Sequence, residues 1–225
     1  MRSTKKMKNF VSRNSETNSI VGIENRESFI NISYNKRETF FMNSVEFIKF
    51  IKTVETMIRK SKEYKSYIAY LKEDIGLKQC SVFGNVNDSM ATIEMHHGPI
   101  FTLYDCVEIT LSHLFRKKEP INSSNVAHHV LRDHFDNLIQ VVMLSESAHN
   151  AVHKYKGDVK FFIPIDSAWG DISSFITKYS DSITVAHIQK LKMYLKQYEM
   201  YSTKDEKDLN HIQVFKEFIT SFNLK

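Results

Sequence analysis

The feature that most constrains the fold is a scarcity of residues that interrupt helices. The chain has six glycines and three prolines among 225 residues, whereas these two types make up about one residue in eight of an average protein. Tight turns with positive φ depend on glycine. We therefore expect long helices with few tight turns, and Gly-rich phosphate loops are almost excluded.

Composition places the chain among soluble globular proteins. Charged residues are 25% and hydrophobic residues 42% of the sequence, and 225 residues can bury a core without disulfides. Cys80 and Cys106 are the only cysteines and form no Cys-x-x-Cys pair, so histidines and carboxylates must hold any metal. We see no apolar run of membrane length and no secretory signal, which predicts a cytoplasmic protein without membrane contact.

The charge balance favours nucleic acid as a partner. The formal net charge is +5 and the sequence pI is about 9.0, a modest excess that fits a polyanion. We predict phosphate contacts from four basic residues. These are Arg116 and Lys117 at the end of a predicted helix, and Lys154 and Lys156 beside the candidate site described next.

The pattern of the chain predicts four regions. Residues 1–19 form a flexible basic arm, and residues 20–90 form an N-terminal α/β region with a hairpin at 29–42 and a helix capped by Asn43. Residues 91–157 contain two strands, two intervening helices and a further helix. Residues 158–225 are helical. A further strand is expected at 80–86.

Ten histidines are present, and their order is informative. His96 and His97 are adjacent at the end of the strand ATIEMH. His149 and His153 are four residues apart on a helix, so both imidazoles lie on one face and can act as a metal clip. Asn137 lies between the two pairs, directly before the apolar run LIQVVM.

This order, in EMHHGP, DNLIQVVMLS and HNAVH, resembles the HNH or His-metal-finger endonucleases, the colicin-type DNases in particular. The resemblance covers residues 91–157. It implies a ββα core around one divalent ion, so the expected fold class is α+β, with a ββα-metal core, helical insertions at 102–117 and 124–135, an N-terminal hairpin and helix, and a helical C-terminal region.

The resemblance also implies roles for the five residues of the motif. His96, His149 and His153 are the metal ligands, His97 is the general base that activates water, and Asn137 fixes the loop that carries His97. The cofactor is a divalent ion, Mg²⁺, Mn²⁺, Ni²⁺ or Zn²⁺. The implied activity is metal-dependent endonucleolytic cleavage of DNA that leaves 5′-phosphate and 3′-hydroxyl ends.

Other interpretations stay open. RNA is the alternative substrate. A second alternative is a catalytically decayed HNH scaffold that acts as a nucleic-acid-binding or regulatory protein, and a third is a structural subunit with incidental histidines. Glu94 lies on the strand face of His96 and is a candidate to help hold the ion. His134 is expected on a solvated helix face, and Trp169 as a buried anchor. The Lys-, Asn-, Ile- and Phe-rich composition suggests an AT-rich genome and a phage origin.

Overall fold

The computed structural model describes residues 43–154, 162–201 and 206–223. The predicted basic arm and N-terminal hairpin lie outside these residues. Within them the α+β prediction is confirmed, because eight α-helices accompany one small antiparallel sheet. The helices are α1 (Ser44–Lys60), α2 (Lys62–Glu73), α3 (Leu103–Arg116), α4 (Ser123–Phe135), α5 (Glu146–Lys154), α6 (Ile172–Lys178), α7 (Val185–Tyr201) and α8 (Glu206–Asn223).

The predicted cap at Asn43 is confirmed, and the chain then breaks at Ser61 into a second helix. The Asn43 side chain accepts hydrogen bonds from the backbone N–H groups of Val45 and Glu46 and so caps α1. Ser61 then ends α1, and its hydroxyl accepts from the N–H of Tyr64 to start α2. The buried side chains of α1 follow three- and four-residue steps, which places one face of the helix in the core.

The sheet consists of β1 (Ile93–His97) and β2 (Val141–Ser145), which pair antiparallel. Its register places Ile93 opposite Ser145 and His97 opposite Val141. All five residues of β2 are buried. Helices α3 and α4 lie in the connection between the two strands, as predicted, and α5 follows β2 without a loop.

The predicted strand at 80–86 is wrong. Its backbone closes on itself instead, because the N–H of Cys80 bonds to the carbonyl of Val86 and the N–H of Val86 bonds to the carbonyl of Phe83. Only an isolated bridge between Gln79 and Asn87 remains. The segment has the residue types of a strand but turns back on itself too soon to pair along its length.

The described part of the C-terminal region is mostly helical, as predicted, through α6, α7 and α8. Before α6, the backbone of Trp169 exchanges two 2.8 Å hydrogen bonds with Val141 and extends the edge of β2 by one bridge. Among the helices in the described ranges, none combines the length and apolarity that crossing a membrane requires.

Candidate metal centre

Three histidines from two elements converge. His96 extends from β1, and His149 and His153 extend from one face of α5. The ring centroid of His96 lies 5.2 Å from each of the other two, which are 4.6 Å apart. One ring nitrogen of each lies within 4.8 Å of the others, close enough to share an ion. The structure thus brings together the three residues that the sequence predicts as ligands.

The local fold explains why they meet. Helix α5 starts at the residue after β2 ends, and the hydroxyl of Ser145 accepts from the N–H of Ala148 in its first turn. Because β2 pairs with β1, the helix begins beside the strand that carries His96. The spacing of four residues then directs His149 and His153 to the same side.

Glu94 orients one of the three rings. Its carboxylate oxygen lies 2.5 Å from Nδ1 of His149, and it shares the strand face of His96 because the two are two positions apart in β1. In the neutral ring this hydrogen bond holds the proton on Nδ1 and leaves the lone pair on Nε2, which faces His153 at 3.1 Å. Glu94 therefore contacts a ligand, the arrangement by which carboxylates orient metal-binding imidazoles.

Two of the three rings, His96 and His153, have pKa values lowered by their surroundings. Burial, followed by the neighbouring His149 and His153, lowers the pKa of His96 to about 4. Burial and His149 also lower the pKa of His153. Uncharged imidazole is the form that binds metal, and a three-nitrogen donor set suits Zn²⁺ or Ni²⁺, whereas Mg²⁺ prefers oxygen ligands. The residues present therefore fit a divalent transition metal.

His97 lies on the other side of the sheet. Its side chain is 3% exposed, stacks near Tyr64 with ring centroids 6.0 Å apart, and places Nε2 2.9 Å from Nε2 of His134. The expected convergence of His96 and His97 therefore does not occur, because an extended strand directs adjacent side chains to opposite faces. The turn that follows does not reverse this alternation.

His134 is fully buried, so the expectation of a solvated helix face is wrong. Its Nδ1 lies 2.7 Å from the carbonyl of Val130 and must donate to it. Burial lowers the pKa of His134 to about 4, so the ring is neutral at pH 7 and its Nε2 accepts from Nε2 of His97. The pair is thus a directed hydrogen bond inside the core.

Asn137 contacts a different loop from the one expected. Its side-chain oxygen accepts from the indole N–H of Trp169 at 2.9 Å, and its carbonyl accepts from the N–H of Asp171 at 2.6 Å. Between them, Gly170 has φ of 109°, and a Cβ there would lie 2.4 Å from the carbonyl oxygen of Ile139. Asn137 therefore holds the 169–171 loop against the start of β2, and Trp169 is a partly buried anchor.

The predicted phosphate contacts are separate from this core. Arg116 and Lys117 are exposed at the C-terminal end of α3, where positive charge complements the helix dipole. Lys154 is the last residue of α5, and Lys156 lies outside the described residues. Their contacts with nucleic acid stay predictions.

A second group of possible ligands escaped the sequence analysis. Asp105, Glu108 and His187 also place ligand atoms within 4.8 Å of one another. Nδ1 of His187 accepts from the N–H of Thr184, so in the neutral ring Nε2 carries the proton and cannot bind a metal. Asp105 already binds a cation, because Nζ of Lys190 lies 2.6 Å from both of its carboxylate oxygens. This group is an ion-pair network, which no local spacing would have indicated.

The sequence profile of the Bacteriophage G278-like virion protein family matches residues 1–225. No curated protein and no solved structure matches the chain. The match confirms the predicted association with phages. Its description refers to the virus particle and names no reaction.

Proposed function

The chain belongs to the Bacteriophage G278-like virion protein family, and we propose that it is a virion component that hydrolyses phosphodiester bonds in DNA. The observation that carries this proposal is the convergence of His96, His149 and His153 with Glu94 behind one of them. In this proposal β1, β2 and α5 are the ββα core of an HNH endonuclease, and α3 and α4 are an insertion between its strands.

In this proposal the three histidines hold the ion and Glu94 orients one of them. A divalent ion held there would neutralise the scissile phosphate and stabilise the leaving 3′ oxygen. The three imidazoles would hold the ion, and Glu94 keeps His149 in the tautomer that presents Nε2. The resemblance assigns the general base to His97, but its ring contacts His134 in the core. We therefore base the proposal on the three ligands and Glu94.

The test is nicking of supercoiled plasmid by the full chain with Mg²⁺, Mn²⁺, Ni²⁺, Zn²⁺ or EDTA. His153→Ala removes one ligand, and His128→Ala removes an exposed histidine of α4 outside the cluster. We expect the wild type and His128→Ala to nick in at least one metal, and His153→Ala to lose at least ~100-fold of that activity. A wild type that leaves plasmid, linear DNA, single-stranded DNA and RNA intact under every ion overturns the proposal.

The family description favours a second candidate, a structural subunit of the virion. In that role the same imidazoles would hold an ion that ties β1 to α5 and stabilises the fold. This candidate predicts stoichiometric metal and a lower Tm after chelation, without nicking. A decayed nuclease scaffold would instead bind DNA with strong salt dependence and leave it uncut.

A further inference from the structure

A cavity of about 330 Å³ opens beside the histidine centre. One wall is a face of α7, where the lining residues Met193, Tyr194 and Gln197 follow three- and four-residue steps. The turn after β1, with Ile100 and Phe101, also lines the cavity. His96 and His97 also line the cavity, and His96 is the member of the histidine centre among them.

We propose that this cavity binds one unpaired nucleotide of a single DNA strand. The inference rests on the proposed function, because it places the neighbouring phosphate of that strand at His96. A volume of about 330 Å³ is at the small end of the ~300–1,000 Å³ range of small-molecule sites. Such a cavity accepts one base and excludes a base pair, so a base must leave its stack to enter.

The lining matches the chemistry of a nucleobase. Met193 offers exposed apolar surface to the face of a base, and the buried side chains of Ile100 and Phe101 also line the wall. The partly buried side-chain amide of Gln197 supplies both a donor and an acceptor, which is what the edge of a base presents.

The low net charge of the cavity also favours a nucleobase as its occupant. Lys190 lines the cavity, but its ammonium is paired with the buried carboxylate of Asp105. The wall therefore contributes little net charge, and burial of the base is the main source of affinity. A duplex, which presents its phosphates and keeps its bases stacked, would gain little from this site.

The helix α7 offers a matched pair of variants. Met193 lines the cavity and is 50% exposed, whereas Met200 on the same helix is 62% exposed and does not line it. Met193→Glu and Met200→Glu add the same charge to the same helix at exposed positions, so both should fold. A difference between them reports on the cavity and not on general repulsion of DNA. Gln197→Ala is a second cavity variant without a charge change.

The experiment measures the anisotropy of a labelled single-stranded oligonucleotide and of the same sequence as a duplex, with the full chain in EDTA. We expect the single strand to bind about tenfold more tightly than the duplex, Met193→Glu to lose about tenfold of that affinity, and Met200→Glu to stay within about twofold. Equal losses in the two methionine variants, or equal affinity for duplex and single strand, would overturn the inference.

Binding in EDTA does not require hydrolysis, so the two proposals fail separately. If the protein nicks DNA in metal but Met193→Glu and Met200→Glu lose the same single-strand affinity, the nucleotide site is contradicted and the nuclease proposal stands. If only Met193→Glu loses single-strand affinity and no metal supports nicking, the nucleotide site stands and the nuclease proposal is contradicted.

Discussion

His96 and His97 are neighbours in β1, yet they belong to different parts of the molecule. His96 is half-buried beside two other imidazoles at an edge that α5 and the cavity share. His97 is packed between helices and bonded to one histidine of α4. Burial is the largest cause that lowers both pKa values, but the rings that surround each histidine differ.

The difference shows what a strand does to a pair of adjacent residues. The pleat sends one side chain to each face, so what each ring meets depends on the elements packed there. On one face the sequence itself brings α5 into place directly after β2. On the other face Tyr64 of α2 and His134 of α4 arrive from distant parts of the chain.

The largest expected effect is on metal affinity. His96→Ala removes one of three ligands, so we expect Zn²⁺ affinity measured by calorimetry to fall at least ~100-fold while the apo protein stays folded. His128→Ala, an exposed histidine in α4, should leave the affinity unchanged. Equal Zn²⁺ affinity in wild type and His96→Ala would show that the cluster is not the ion site.

On the face of β1 that carries His97, a substitution should lower the stability of the fold and leave metal affinity nearly unchanged. His97→Ala leaves a cavity and removes the donor to His134, so the free energy of unfolding should drop by about 2–4 kcal/mol in denaturant titrations. Zn²⁺ affinity should change by less than about threefold, because His97 is not in the cluster. A folded His97→Ala protein that binds metal but no longer nicks would support the general-base role. A large loss of Zn²⁺ affinity would place His97 at the centre after all.

The buried pair should make stability depend on pH. The pKa of His134 is about 4 when folded, below its usual value of 6.5, so the unfolded chain binds the proton more tightly. The stability that the neutral His134 contributes is fully present above pH 6.5. As the pH falls towards 4, the free energy of unfolding decreases by up to about 3 kcal/mol. Thermal unfolding of the metal-free chain from pH 7 to pH 4 measures this loss. His134→Gln should show a shallower slope, and an identical slope would contradict the assignment.

The smallest effect concerns the support of a ligand. Glu94→Gln keeps an acceptor near Nδ1 of His149 but removes the charge, so we expect Zn²⁺ affinity to fall about tenfold. Glu146→Gln, an exposed carboxylate at the start of α5, is the matched control. Losses of the same size in both variants would indicate a general charge effect and not a specific contact.

Features that depend on neighbouring residues were predictable from the sequence. Asn43 and Thr102 cap the helices that follow them, because a cap is a matter of two or three residues. The His149 and His153 clip follows from helical spacing alone. The meeting of this clip with His96 came from the resemblance to HNH proteins and fits the pairing of β1 with β2.

Contacts between distant segments were not predictable. The His97 and His134 pair joins residues 37 positions apart, and it depends on how α4 packs beside β1. Asn137 was expected to fix the loop that carries His97, but its side-chain oxygen accepts from Trp169, which is 32 positions away. The sequence pattern contains no signal for either partner, because the first depends on the packing of α4 beside β1 and the second on the bridge between Trp169 and Val141.

The insertion of α3 and α4 between β1 and β2 has a consequence for the order of events during folding. The ring from β1 meets the two rings of α5 only when β1 has paired with β2, a closure over the long stretch of chain that holds α3 and α4. A newly made chain holds only the His149 and His153 clip, which has two donors. A third donor arrives with the native topology, so tight uptake of an ion would report that the chain has finished folding.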